Sequence, residues 1–402
     1  MRDAIVTPSA AEETPGQRLL RIGTDRRMLV ITLSLMAIGV SLVLSSSSFF
    51  AGGKFHGDQF ALMRNHAVRC IIALAVMFIA SRVDYRLYRR AAPALLVLSV
   101  LLMISLFFLG FTIRDTRRWV VIPLINTTLQ PSEVARTALV IFLAWWMART
   151  GKDLVKFRQG FLPAAAAIAL VAGIIAAMPN FGTAAATIAI SLCMLFVGGA
   201  RLAHMGSFLG LGAGLAVIEI ARHAYVRDRI LTFLGFGHGN REALNWQVEQ
   251  SLIALGSGGL FGRGFGHSEQ KLSWLPDSYT DFIFSIVGEE GGLVLTLAVS
   301  GAFLFLALRG LRIAHECSDR FGQLLGVGIT ASVFVYAALN MYVATGLFPV
   351  TGLPLPFLSY GGSALIVNAF SVGIMLNLSR RLPGSQRRTL SLRQAPAAMG
   401  AR

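Results

Sequence analysis

The chain has 402 residues, 55% of them hydrophobic and only 14% charged, with a net charge of +16. An ordinary soluble domain carries about 25% charged residues, so a soluble globular class is excluded. The basic residues are dispersed over short loops, which argues against a nucleic-acid-binding face, and the scattered Cys70, Cys193 and Cys317 give neither a disulfide framework nor metal-ligand spacing.

Residues 1–27 form a polar segment containing Arg18, Arg21, Arg26 and Arg27, without the pattern of a cleavable signal. Apolar runs follow, among them Met28–Leu44, Leu95–Phe111, Phe161–Met178, Leu293–Leu308 and Ala364–Leu378. A run of about 18 or more apolar residues crosses a bilayer core of about 30 Å as a helix. The sequence therefore predicts an all-α polytopic membrane protein with ten spans at about 28–49, 67–82, 92–112, 132–148, 161–178, 182–199, 206–222, 281–308, 321–345 and 362–379. The seventh is the weakest, because it holds several glycines and Glu219. Loops after the even-numbered spans are basic, as are the N-terminal segment and the tail 381–402. Basic short loops stay in the cytoplasm, which puts both termini inside and attributes the charge to topology and anionic headgroups.

The other side carries Thr112–Pro131, Thr345–Gly361 and the long extracytoplasmic segment 221–280 between spans seven and eight. Loops beyond about 15 residues are usually functional or disordered. Within the long one, Val248, Leu252 and Leu255 recur at helical spacing, predicting an amphipathic helix Asn245–Leu255 at the outer interface.

Candidate chemistry concentrates after that helix. The glycines from Gly256 onward expose backbone N–H groups, yet no GxGxxG or P-loop frame surrounds them. Asp281 stands where the loop meets span eight, a position that suits an N-cap and an exposed carboxylate alike. Glu289 and Glu290 follow about 12 Å along the helix, at a depth where ionisable groups are partnered or functional. Glu289 is expected to share a cavity with Asp281. Arg136, which shares a helix face with Glu133, is the expected partner of these glutamates in a structural ion-pair network. Arg114, Arg117, Arg118 and Trp119 form a basic and aromatic cluster suited to a diphosphate and a sugar. The uncharged segment Val350–Ala364 reads as the wall of a site, with Ser359 and Tyr360 expected to face the substrate.

The ordered set RRWVVIPLINTTLQPSEVAR (117–136), MPNFGT (178–183), WQVEQSLIALGSGGLFGRGFG (246–266), QKLSWLPDSYTDFIFSIVGEEGG (270–292) and GLFPVTGLPLPFLSYGGSA (346–364) resembles the SEDS proteins. These are the shape, elongation, division and sporulation proteins, with FtsW and RodA branches. The resemblance spans about residues 28–380. It implies a ten-span peptidoglycan glycosyltransferase of the bacterial inner membrane that uses lipid II. It also implies partnership with a class B penicillin-binding transpeptidase and other divisome or elongasome proteins. By motif, Asp281 corresponds to the family's essential aspartate, Trp119 to its RRW tryptophan and Gln130–Glu133 to its QPSE segment. Two departures stand out: Arg136 replaces a usual Lys, and Asn180 replaces an Asp, which leaves the catalytic weight on Asp281. GHSEQKLSWLP is closer to the division branch and VTGLPLPF to RodA, and the balance favours the division branch.

The chemistry that such an activity requires fits these residues. A sugar hydroxyl attacking the anomeric carbon of a diphospholipid donor has a good leaving group, so one carboxylate suffices, unlike the two of a glycosidase. Asp281 is the expected base, while Arg117, Arg118 and Lys271, or Mg²⁺ or Mn²⁺, neutralise the diphosphate. Two rivals from other classes are a lipid II flippase, which requires a substrate path through both leaflets, and a non-catalytic scaffold, which survives loss of Asp281.

Overall fold

A chain crossing lipid must satisfy its backbone amides within itself, so the apolar runs become helices. The computed structural model describes residues 25–54, 61–109, 111–113, 116–122, 127–222, 227–228, 231, 233, 241–272 and 274–380. The first three helices are α1 (Arg26–Lys54), α2 (Ala61–Arg82) and α3 (Tyr85–Leu109). Next come α4 (Pro131–Thr150), α5 (Leu162–Ala177), α6 (Phe181–Gly198), α7 (Leu202–Arg222) and α8 (Arg241–Ser257). The last are α9 (Ile283–Glu316), α10 (Arg320–Ala344) and α11 (Gly362–Arg380). Among the described residues eight helices are long and apolar enough to cross a membrane. Helices α4 and α7 lie at the fourth and seventh expected positions without meeting that measure. The N-terminal 24 residues and the tail from residue 381 lie outside the described residues.

Two stretches differ from expectation. The segment 112–131, expected as a loop, carries a three-stranded antiparallel sheet of β1 (Phe111–Ile113), β2 (Thr116–Ile122) and β3 (Thr127–Leu129). Trp119 pairs with Phe111, and Val120 with Leu129. Helix α8 is longer than Asn245–Leu255, and its packed face holds Val248 and Leu255 of the predicted face but is centred on smaller residues. Ser251 and Ala254 are buried, whereas Leu252 is 46% exposed. The reason is close approach: a Cβ at Gly258 would collide with the Gly288 carbonyl of α9. Small residues allow helices to approach so closely. The Ser251 hydroxyl sits 2.5 Å from that of Ser285 and donates to the Ala344 carbonyl at 2.6 Å.

Helix α11 runs through the centre, with nearly every residue buried, and packs along α2 and against α4, α9 and α10. One end of the bundle is fastened by polar links between distant segments. Arg309 pairs with Asp25 at 2.6 Å, Tyr85 bonds to Asp319, and Asn377 donates to the Ser81 carbonyl at 3.0 Å. The opposite end, termed here the loop end, carries the sheet, α8 and residues 258–282.

Helix α9 breaks at Gly292, whose φ of 65° and ψ of −166° leave the helical region. Positive φ of this kind suits glycine. The loop after α8 fills the break. The carbonyls of Glu289 and Glu290 accept from Arg263 and Gly264 N–H groups at 2.9 and 3.1 Å. Leu293 and Val294 donate in turn to the carbonyls of Gly259 and Leu260 at 2.9 and 3.2 Å. An irregular backbone is tolerated inside a membrane protein where other protein groups satisfy it.

Candidate active site

Asp281 lies in the turn that precedes α9. The N-cap position belongs to Phe282 and has no side-chain cap bond, so Asp281 is not the cap expected from sequence. The turn is wound on the Asp277 carbonyl, which accepts from the N–H groups of Thr280, Asp281 and Phe282 at 3.0, 3.0 and 3.3 Å. Asp277 itself has a φ of 54°, a left-handed conformation that Asp tolerates better than most residues.

The segment 350–361 clasps this turn from the other side. Tyr360 N–H donates to the Tyr279 carbonyl at 2.9 Å. Ser359 donates to the Thr280 carbonyl at 2.5 Å and accepts from Leu355 N–H at 2.8 Å. Ser359 is buried and its hydroxyl is engaged on both sides, so it shapes the wall instead of facing a ligand, as had been expected. Gly352 adopts a φ of 70°, and a Cβ there would sit 3.6 Å from Asp281 Oδ2. A glycine therefore lines the space beside the carboxylate. Asn340 of α10 joins both segments through one amide nitrogen, donating to the carbonyls of Asp281 at 2.7 Å and Leu353 at 2.8 Å.

Around this clasp several helix starts converge. A Cβ at Gly182, in the first turn of α6, would collide with the Thr351 carbonyl. The Gln130 N–H before α4 donates to Ser363 of α11 at 2.7 Å, and α9 begins beside Asp281. Helix starts carry partial positive charge and favour anions. The partly exposed Tyr360 ring meets Tyr279 edge-on at 5.8 Å and His66 at 5.6 Å, with the Arg69 guanidinium 4.6 Å above it. Trp119 is on β2, half-buried. Arg117 and Arg118 share that strand, but their side chains and Arg114 lie outside the described residues.

The other predicted charges are committed elsewhere. Arg136 pairs with Glu133 at 2.7 Å and lies 4.2 Å over the Tyr336 ring, whose hydroxyl donates to Glu133 at 3.1 Å. Arg136 is therefore not the partner of Glu289 or Glu290. Glu289 accepts from Ser268 and, at 2.9 Å, from Glu269 N–H, with Arg263 at 3.8 Å. It faces that loop and not the Asp281 turn, where a shared cavity had been expected. Glu290 pairs with Lys271 at 3.0 Å and bonds Ser45 of α1. The Lys271 ammonium also donates to Ser45 at 2.8 Å and to the Gly266 carbonyl at 2.6 Å. Lys271 is 5% exposed, so the expectation that it grips a diphosphate is corrected. The exposed Arg263 stays fully charged, because its hydrogen bond to Glu269 pushes its pKa further up.

About 30 Å of bilayer corresponds to about 20 helical residues. Counted back from Arg309, whose pair with Asp25 marks the opposite end, that length reaches Glu289. The two glutamates lie buried within the candidate span Ile283–Glu316, toward its loop end.

Sequence reasoning missed Asn340, Arg69 and His66. The available signal was their polarity inside apolar runs, since polar groups there are expensive unless partnered or functional. Among the described residues no three His, Cys, Asp or Glu side chains converge to hold a metal.

With this geometry in view, comparison with known proteins is direct. Residues 26–383 match the family profile of the FtsW, RodA and SpoVE cell cycle proteins. A protein of Trichlorobacter lovleyi called "Probable peptidoglycan glycosyltransferase FtsW" is 36% identical, covering 89% of this chain and 93% of its own length. Stage V sporulation protein E of Bacillus subtilis is also 36% identical, covering 89% and 97%. Among solved structures, a chain of a peptidoglycan synthase complex superposes with a TM-score of 0.70 at 25% identity, covering 89% of this chain and 98% of that one. Thermus thermophilus RodA superposes at 0.66 and 24% identity, covering 90% and 98%. By the family profile and by these relatives, the chain belongs to the SEDS family of multi-pass membrane proteins.

Proposed function

We propose that the chain is a peptidoglycan glycosyltransferase that polymerises lipid II at the outer face of the bacterial cytoplasmic membrane. The observation that carries this reading is the Asp281 turn, clasped between α9, α10 and the 350–361 segment at the loop end. Both termini are cytoplasmic in this proposal, so the loop end faces outward. The chain then divides into the segment 1–27, a membrane domain 28–380 and the tail 381–402.

In the reaction, an acceptor sugar hydroxyl approaches the anomeric carbon of the donor disaccharide. The Asp281 carboxylate takes the hydroxyl proton as the new glycosidic bond forms. The bond from the anomeric carbon to the diphosphate oxygen breaks, and the lipid diphosphate departs with the electron pair. Its charge is stabilised by Arg117 and Arg118 and by the helix starts around Thr351–Tyr360. Trp119 and Tyr360 supply sugar-facing or headgroup-level aromatic surface. A divalent ion such as Mg²⁺, if one takes part, would be held by the diphosphate and one or two carboxylates and would offset the charge of the leaving group.

A class B penicillin-binding transpeptidase is the proposed partner. Support comes from the related chain that occurs in a synthase complex coordinating polymerization and crosslinking. The similarity to FtsW proteins supports a role in division. The decisive experiment measures glycan polymerisation from purified lipid II by wild-type and Asp281→Asn protein. Loss of polymerisation in a folded variant that still binds its partner is expected, and a near wild-type rate overturns the reading.

A further inference from the structure

Asn340 lies on α10, a helix that is otherwise largely apolar, and is 1% exposed. A buried amide is costly unless its hydrogen bonds are made. Here both bonds of the amide nitrogen go outside its own helix, to the carbonyls of Asp281 at 2.7 Å and Leu353 at 2.8 Å. Among the described residues the Oδ1 atom of the same amide has no hydrogen-bond partner. The Asn340 amide spends its donors on joining two segments that are remote from each other in sequence.

The two acceptors matter because of what adjoins them. The Asp281 carbonyl belongs to the residue that carries the carboxylate, so holding that peptide plane holds the backbone from which the Asp281 side chain projects. The Leu353 carbonyl follows Gly352, the residue that lines the space beside Asp281 Oδ2. One amide therefore ties the backbone that carries the carboxylate to the wall opposite it. Further links between the segments run through Ser359 and Tyr360 to Thr280 and Tyr279.

We infer that Asn340 is a positioning residue, holding the Asp281 carboxylate at its working distance from the acceptor hydroxyl. The inference rests on the reading of Asp281 as the base. Misplacement of a reacting group by about 1 Å costs on the order of 100-fold in rate. A role confined to stability would not separate kcat from KM, whereas a positioning role does.

The test uses full-length Asn340→Ala and Asn340→Gln proteins in lipid II polymerisation, with thermal midpoints measured alongside. Gln keeps the donor but displaces it by one methylene. The expected result is a fall in kcat of about 10- to 100-fold, with KM within about threefold and the thermal midpoint nearly retained. Should Asn340→Ala fail to fold, Asn340→Gln decides by the same criteria. An unchanged kcat in folded protein overturns the inference, as does a joint loss of kcat, KM and midpoint. If Asp281→Asn is inactive while both Asn340 variants match wild type, only this inference fails. If Asp281→Asn is itself active, the reading of Asp281 fails first.

Discussion

Asp281 and Glu290 lie a few turns apart on one stretch of chain, yet their surroundings differ. Asp281 is partly exposed, lies beside a glycine and has its backbone pinned by a side chain from another helix. Glu290 is buried against Lys271 and Ser45. At Asp281 the protein fixes the backbone and leaves room beside the carboxylate. At Glu290 it uses the carboxylate to bind a loop to α1 and α9. A carboxylate built for chemistry and one built for assembly thus differ less in depth than in which of their atoms is held.

That contrast predicts different failures. The largest effect is expected for Asp281→Asn, which should lower polymerisation by about 10²- to 10⁴-fold, the range for losing a general base. Its thermal midpoint should barely move. A large loss of stability in that variant would erase the distinction. Lys271→Ala should do the reverse, leaving Glu290 buried without its cation at a cost of about 3–5 kcal/mol. Thermal unfolding in detergent measures this, and adding Glu290→Gln should recover part of the loss. Gly292→Ala comes next. A Cβ there would collide with Gly262 N at an unfavourable φ of 65°, so about 1–3 kcal/mol of strain is expected. Faster amide exchange at Arg263 and Gly264 would report it. The smallest effect concerns Cys317, whose buried thiol is pushed up to about 11. It should stay neutral and resist alkylation at pH 8, with labelling rising only as the pH approaches that value.

Much of this arrangement was legible in the sequence, because apolar runs and turn residues report local structure directly. The helix positions and the address of Asp281 follow from hydropathy and from the polar-to-apolar junction at Thr280. The sheet at residues 111–129 was not legible. Its strands are short, and the middle one carries Arg117 and Arg118, so it reads as a charged loop. The face of α8 was legible at Val248 and Leu255 but not at Ser251 and Ala254, because periodicity marks large apolar residues, whereas the close crossing at Gly258 selects small ones. Charge partners were the least legible. Spacing puts Arg136 on the face of Glu133, but only the fold shows that Tyr336 completes that group and that Lys271 takes Glu290.

The break at Gly292 bears on how the protein is made. Residues 259–264 leave the ribosome before α9, so the hydrogen-bonding groups that complete this helix already exist when it begins to enter the bilayer. Four backbone bonds join the two stretches, and each unsatisfied group in lipid would cost several kcal/mol. Loop and helix therefore have to be integrated together, with the loop delivered first. A truncation or insertion within 259–264 should leave the nascent protein stalled at α9, a substrate for membrane quality control.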